Sequence, residues 1–496
     1  MNKKSLFLLV GIIIIASFLR LYQITITPPG LYPDEAMNGN NALMALRTHD
    51  WKVFYPENNG REGLFVNVQS FFLRAIGKNE PWVLRLPSAI FGILTVLGIY
   101  FLAAELFSVE VGLLSAFFLA TSFWHVNFSR IGFRAIAAPF FLTWTLYFLL
   151  RAMRSSKSTF YFLFSIFSGV LFGLGFYTYI AYRVMPLLIL VIIIYFWKKS
   201  GAEGSRNRFL ITGFCFLAVT FLVALPIGIY FLKNPADFLG RTSQISIFNS
   251  STPLRNLSWN TIKTLGMFNF QGDWNWRHNL AGAPELYWPV GILFLLGLYL
   301  GLKTSWQYFR FRAAIKFSEQ KENIAFLVLF GWFVLAFLPV VISNEGIPHA
   351  LRSLLLITPA MIFAAVGGVW LHEKIASKIR GSLLFTIYYL LFAVITLQAY
   401  TNYFLVWAKN PNVQGAFSAD YVRIGRELNS LPNETPKYVI VEAQGVIVRD
   451  IPMPAQTVMF ITDTLSPESQ KKKNIRYVLP EDEKTVPIGA PTFYIK

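Results

Sequence analysis

The sequence predicts an all-α polytopic membrane bundle of about eleven transmembrane helices, with a long first outside loop and a small C-terminal α/β domain outside the membrane. Three observations carry this. The chain is 55% hydrophobic and only 14% charged, against roughly 25% charged residues in ordinary soluble domains. Apolar runs of about 18 or more residues, enough to cross a bilayer, recur along it. Its positive charge is spread unevenly between the connecting segments, as insertion into a membrane demands.

The apolar runs fall at 5–22, 84–106, 111–128, 135–151, 159–179, 182–198, 209–231, 286–303, 324–342, 353–371 and 382–402. The first follows Met1-Asn-Lys-Lys and resembles a signal peptide. No small-residue cleavage site follows it, so it reads as an uncleaved first span. With the N-terminus placed in the cytoplasm, the inside segments carry Lys3, Lys4, Arg151, Arg154, Lys157, Lys198, Lys199, Arg206, Arg208, Lys303, Arg310, Arg312, Lys316, Lys321, Lys374, Lys378 and Arg380. The short outside loops carry Arg130, Arg134, Arg183 and Arg352. The net charge of +18 is thus mostly a topology signal, which argues against nucleic acid as a partner. Every aspartate falls outside in this arrangement: Asp34, Asp50, Asp237, Asp273, Asp420, Asp450, Asp463 and Asp482. Acidic chemistry is therefore expected on that face. A plasma membrane is the expected location; an endoplasmic reticulum membrane satisfies the same topology.

Two outside loops are long, at about 23–83 and 232–285. The first carries helical patterns at Glu35–Arg47 and Leu64–Ile76. The second is rich in Trp, Asn and Gly. Beyond about residue 402 charge rises and the apolar runs stop. Residues 403–496 read as a small extracytoplasmic domain, with a helix at Asp420–Ser430 and strands at Lys437–Glu442, Thr457–Ile461, Ile475–Leu479 and Thr492–Ile495. Cys215 lies alone in an apolar run and is expected to act as a small buried hydrophobe.

Five clusters could carry chemistry, and each has a plainer reading. In Leu31-Tyr-Pro-Asp-Glu-Ala, Asp34 and Glu35 suit a general base at the membrane surface; they equally suit the first turn of a helix. Arg61 and Glu62 precede an amphipathic stretch and can cap it, or Arg61 can bind a lipid phosphate. Arg130 and Arg134 sit in one tight outside loop against the positive-inside trend, either snorkelling to headgroups or binding phosphate. His349 and Arg352 fall on adjacent turns before a span. Trp274 and His278 can form a sugar-binding aromatic platform or an interfacial belt. The five histidines lie far apart, and no spacing fits zinc. No Asp, Glu, Lys or Arg occupies the centre of a span, which disfavours an ion-coupled transporter.

An outside Asp34-Glu35 after the first span, a long first loop, and Arg85-Leu-Pro-Ser-Ala-Ile-Phe-Gly-Ile-Leu-Thr-Val opening the second span resemble membrane glycosyltransferases of the GT-C type. Protein O-mannosyltransferases, their bacterial relatives, and the aminoarabinose transferase that modifies lipid A are the members it looks like. Ser129–Ala135 and Pro348–Arg352 add to the likeness, which covers roughly residues 1–370. The resemblance implies a polyprenyl-phosphate sugar donor and an acceptor hydroxyl on a lipid, glycan or protein. It implies Asp34 as base with Glu35 beside it, inversion at the anomeric carbon, and no metal or cofactor. Arg61, Arg134, Arg352 and Arg130 are then the candidates for the donor phosphate, and Glu62, His349, Trp274 and His278 for substrate. The chain departs from the aminoarabinose transferase where Arg61-Glu62-Gly63-Leu64 replaces a Lys-Pro motif. A transporter or flippase of a lipid-linked glycan, and an assembly protein, are the alternatives.

Overall fold

The computed structural model describes residues 2–202, 204–244, 246–311, 321–378 and 381–496; Arg312, Lys316 and Arg380 of the basic segments lie outside them. The chain divides into two compact units. One comprises residues 1–22, 89–129 and 134–403; the other comprises 23–88, 130–133 and 404–496.

Among the described residues ten helices are long and apolar enough to cross a membrane: Lys3–Leu21, Pro81–Leu106, Arg134–Arg154, Ser158–Gly175, Ile180–Gly201, Arg206–Lys233, Trp288–Gln307, Ile324–Val341, Leu354–Ala376 and Ser382–Trp407. Ten of the eleven expected spans correspond to them. The remaining one, expected at 111–128, is broken. A helix at Val109–Thr121 stops and a six-residue helix at Phe123–Phe128 follows. Ser122 between them is extended and its side chain accepts the His125 N–H. A break exposes carbonyls that need donors. The buried Arg20 guanidinium supplies them, bonding Leu119 O at 3.2 Å and Ala120 O at 3.0 Å.

Helices in the first unit meet where small residues let backbones approach, as membrane helices must when lipid is as apolar as leucine. A Cβ on Gly367 would stand 2.1 Å from Leu293 O, and one on Gly297 would stand 1.8 Å from Phe363 O. Trp288–Phe311 and Ile357–Ala376 thus touch backbone to backbone. Cys215, on the helix Arg206–Lys233, is half-buried rather than buried.

The second unit joins the first loop to the tail. Helices Pro33–Thr48 and Leu64–Ile76 lie where their patterns foretold. Leu31, Ala36, Leu43, Val66, Leu73 and Leu84 form one core with Val422, Phe460 and Ile461 of the tail. Gly39 makes this possible, since a Cβ there would lie 2.7 Å from the Phe460 ring. In the tail, a helix at Ala419–Ser430 and a parallel sheet ordered Ile475–Val478, Lys437–Val441, Thr492–Ile495 give the expected α/β character. The strand expected at Thr457–Ile461 is instead the middle of a helix, Ala455–Thr462, every residue of which is buried. A short run apolar on all sides has no period to separate strand from buried helix.

Candidate functional site

In the second unit the chemistry gathers at the start of the helix Pro33–Thr48. Pro33 opens it with a backbone angle already helical, and Asp34 and Glu35 occupy the first turn, where acids complement the macrodipole. The two carboxylates have different surroundings. Glu35 is fully buried and saturated. Its Oε1 accepts from Arg85 Nε at 2.9 Å and from the Gly132 N–H at 2.7 Å; its Oε2 accepts from Arg85 Nη2 at 3.1 Å and from the Tyr32 N–H at 3.3 Å. Arg85 also donates to Pro28 O at 2.6 Å and Gly30 O at 2.9 Å. The pair ties the helix start, the chain entering it and the 130–133 segment together.

Asp34 is the more open one, with 35% of its side chain exposed. Asn58 donates to its Oδ1 at 2.7 Å, and Arg61 donates to the same oxygen. Both donors come from a hairpin in which Phe54 pairs with Glu62 and Tyr55 with Arg61. Its turn needs three successive left-handed residues, Asn58, Asn59 and Gly60, residue types that tolerate that conformation. The turn holds Asn58 and Arg61 against one carboxylate oxygen, and Oδ2 receives neither bond. Arg61 is nearly buried and its Nη1 lies 3.1 Å from Met37 Sδ. Glu62 is buried in the same strand. Neither residue caps the helix Leu64–Ile76, whose start is Gly63.

Arg130 is fully buried, donates to Thr27 O at 2.8 Å and lies 5.0 Å from the centre of the Phe404 ring. Its role in this position is to fasten the segment entering the Asp34 helix.

In the first unit the stretch between Gly266 and Trp288 folds on itself around Asp273. Asp273 Oδ1 accepts the Asn275 N–H at 2.8 Å, and Oδ2 accepts the Ala350 N–H at 2.9 Å. His278 Nδ1 lies 2.9 Å and His349 Nδ1 3.7 Å from the same Oδ2, and the two imidazoles are tilted by 30° with centres 4.9 Å apart. Burial holds the His278 pKa below the usual histidine value, against the opposing pull of Asp273. Glu285 Oε1 accepts the Asp273 N–H at 3.1 Å, and burial pushes the Glu285 carboxyl well above the usual carboxylate range. Trp274 is exposed, with its ring set against Gly282. Arg352 is bound within its own loop: it donates to Ser343 Oγ, to Glu345 O at 2.8 Å and to Glu345 Oε2 at 2.7 Å. Arg134 is half-buried at the start of the turn that leads into the helix Ala137–Arg154.

The structure therefore brings Asp34 to Arg61, and His278 to His349. Sequence reasoning missed Arg85, Asn58 and Asp273 as partners. Arg85 gave a signal: an arginine at the head of an apolar helix, once buried, needs an acid partner.

This arrangement of helices matches solved membrane proteins. The archaeal oligosaccharyltransferase AglB from Archaeoglobus fulgidus, solved with an inhibitory peptide and a dolichol-phosphate, aligns with a TM-score of 0.56 at 12% identity, over 97% of this chain and 70% of that one. The apo form of the Archaeoglobus fulgidus oligosaccharyltransferase aligns at 0.55 and 13% identity over 92% of this chain; the chain spans 64% of that protein's length. ArnT from Cupriavidus metallidurans, bound to undecaprenyl phosphate, aligns at 0.58 and 14% identity, over 96% of this chain and 90% of that one. This chain shares the fold of these three solved structures. Residues 64–230 match the family described as dolichyl-phosphate-mannose-protein mannosyltransferase. No curated protein sequence matches it significantly.

Proposed function

We propose that the protein is an inverting glycosyltransferase. It moves a sugar from a polyprenyl-phosphate donor to an acceptor hydroxyl on the non-cytoplasmic face, with Asp34 as general base. The observation that carries the reading is the Asp34 carboxylate, gripped at Oδ1 by Asn58 and Arg61 while its side chain is 35% exposed. A base must be held and yet reachable. The family match over residues 64–230 supports the sugar-transfer class. The undecaprenyl phosphate and dolichol-phosphate held by fold neighbours support the donor class. The bias of Lys and Arg between connecting segments supports the side of the membrane.

In the reaction, Asp34 Oδ2 takes the proton of the acceptor hydroxyl as its oxygen attacks the anomeric carbon. The bond from that carbon to the lipid phosphate oxygen breaks on the opposite face. The phosphate leaves as an anion and needs no proton, so one carboxylate suffices, in contrast to glycoside hydrolysis. Arg61 holds Asp34 in orientation. Glu35, saturated by Arg85 and two backbone N–H groups, supports the helix start and takes no part in proton transfer.

The test is incubation of detergent-purified protein with a panel of polyprenyl-phosphate sugars and membrane extract as acceptor source, following release of free polyprenyl phosphate. Release by the wild type and not by Asp34→Asn is expected. Equal release by both removes Asp34 as the base, and no release from any donor with extract present removes the transferase reading.

A further inference from the structure

The sequence separates His278 from His349 by a complete pair of spans, and their spacing suggested no metal. The fold places them on one aspartate. We propose that Asp273, His278 and His349 form a binding site for a divalent transition metal of the zinc class. This inference does not rest on the glycosyl-transfer reading.

Three things about the cluster suit a metal ion. The first is donor chemistry. Two imidazole nitrogens and one carboxylate oxygen are a common three-ligand zinc set, with a fourth position left for water or another ligand. The second is spacing. Ligands about 2.1 Å from a tetrahedral ion lie about 3.4 Å from one another. The Nδ1 atoms of His278 and His349 lie 2.9 and 3.7 Å from Asp273 Oδ2, on either side of that value, and one donor atom from each residue falls within 4.8 Å of the others. Turning the two imidazoles toward a common point brings the three donors onto one ion. The third is orientation by the surroundings. Ligands of real sites are fixed by outer hydrogen bonds. Asp273 Oδ1 is held by the Asn275 N–H and Oδ2 by the Ala350 N–H, leaving Oδ2 a lone pair for a cation. The loop ends are fixed in turn: Trp124 Nε1 donates to Ala350 O at 3.0 Å, and Asn127 Nδ2 donates to Arg277 O at 2.7 Å.

Charge agrees with geometry. Asp273 is buried, and without an ion its negative charge faces two imidazoles. The neighbouring Arg352 is engaged by Glu345. A dication would neutralise Asp273 and join the 266–288 stretch to the 343–353 loop. A neutral His278 with its proton on Nδ1 would donate it to Asp273 Oδ2; to ligate through Nδ1 the imidazole takes the other tautomer, releasing that proton to solvent and taking one up at Nε2, so that it binds as the neutral ring.

The experiment uses the full-length protein carrying no polyhistidine tag, purified in detergent. The protein is equilibrated with zinc, passed into metal-free buffer, and its metal measured by inductively coupled plasma mass spectrometry. One zinc per chain is expected in the wild type, and none above background in His278→Gln or His349→Gln. Thermal melting supplies a second readout: a chelator should lower the melting temperature of the wild type and leave that of His349→Gln unmoved. Should the variants fail to fold, cobalt-loaded wild type decides, since X-ray absorption must show two imidazoles at the metal. Wild type without stoichiometric metal, variants that retain it, or cobalt without imidazole ligation each overturn the site and leave a hydrogen-bonded Asp–His brace.

Discussion

Glu35→Gln and Asp34→Asn remove one negative charge each from neighbouring residues and should fail in opposite ways. Glu35 is completely buried and its partner Arg85 is 1% exposed. Gln keeps the size and one acceptor oxygen but leaves a buried guanidinium without its counter-charge, and places an NH2 where Glu35 accepts N–H bonds from Gly132 or Tyr32. Breaking one partner of a buried pair costs about 3–5 kcal/mol. At about 2–4 °C per kcal/mol for a body of this size, the melting temperature should fall by on the order of 10 °C. Asp34 sits differently. Asn keeps an oxygen for Asn58 and Arg61 and loses only the charge-assisted part of those bonds, about 1 kcal/mol. Its transfer rate, however, should drop by about a hundredfold to ten-thousandfold, the usual contribution of a general base. The assay is a melt of each detergent-purified variant beside its rate of polyprenyl phosphate release. A Glu35→Gln protein that melts with the wild type, or an Asp34→Asn protein that turns over normally, would refute the division of labour.

Arg61→Ala should lower the transfer rate, with stability falling by about 1–3 kcal/mol, since it removes one of the two donors to Asp34 Oδ1 and empties a nearly buried position beside Met37; rate measurements with saturating donor check it, and an unchanged rate would separate Arg61 from Asp34. Gly367→Val should prevent the helix Ile357–Ala376 from meeting Leu293 and cost about 1–3 kcal/mol or block accumulation of the protein, visible as lost monodispersity on size exclusion. Arg47→Ala removes a pair with Asp463 in which both side chains are about one-third exposed or more, so the melt should move by less than about 1 kcal/mol; a larger fall would show the contact to be worth more than an ordinary surface ion pair.

Much of the architecture was legible because it follows from periodic burial. Ten spans and the two first-loop helices rest on long, regular patterns. The broken span at 111–128 did not show itself, since Thr121-Ser122 is ordinary inside a helix. What stops the helix there is Arg20, roughly a hundred residues earlier, taking the carbonyls of Leu119 and Ala120. The Thr457–Ile461 misreading has the same root, because burial on every side erases the period. At the candidate site, Asp34 stood out through its position after the first span. Arg85 as the partner of Glu35, and Asp273 as the meeting point of His278 and His349, depend on contacts between distant segments that no local pattern encodes.

The Asp34-Glu35 pair shows how one local signal can carry both a structural and a chemical reading. A helix advances about 100° per residue, so adjacent side chains in its first turn cannot share one environment. Glu35 turns inward and meets the need that any buried helix start has, donors to accept and a cation to balance; Arg85 and the Gly132 and Tyr32 N–H groups meet it. Asp34, one step round, turns toward the 54–62 hairpin, which grips only Oδ1. The helix-start reading is thus correct for Glu35 and leaves Asp34 spare. The exposed neighbour of a saturated acid is where a proton acceptor can be kept without weakening the fold. An Asp34→Glu variant tests that geometry: one added methylene displaces the carboxylate by about 1.5 Å from the position at which Asn58 and Arg61 hold it, while its charge is kept. Turnover well below wild type, with a melt close to it, is the expected result. Full turnover in Asp34→Glu would mean that the grip of the hairpin on Oδ1 has no part in the chemistry.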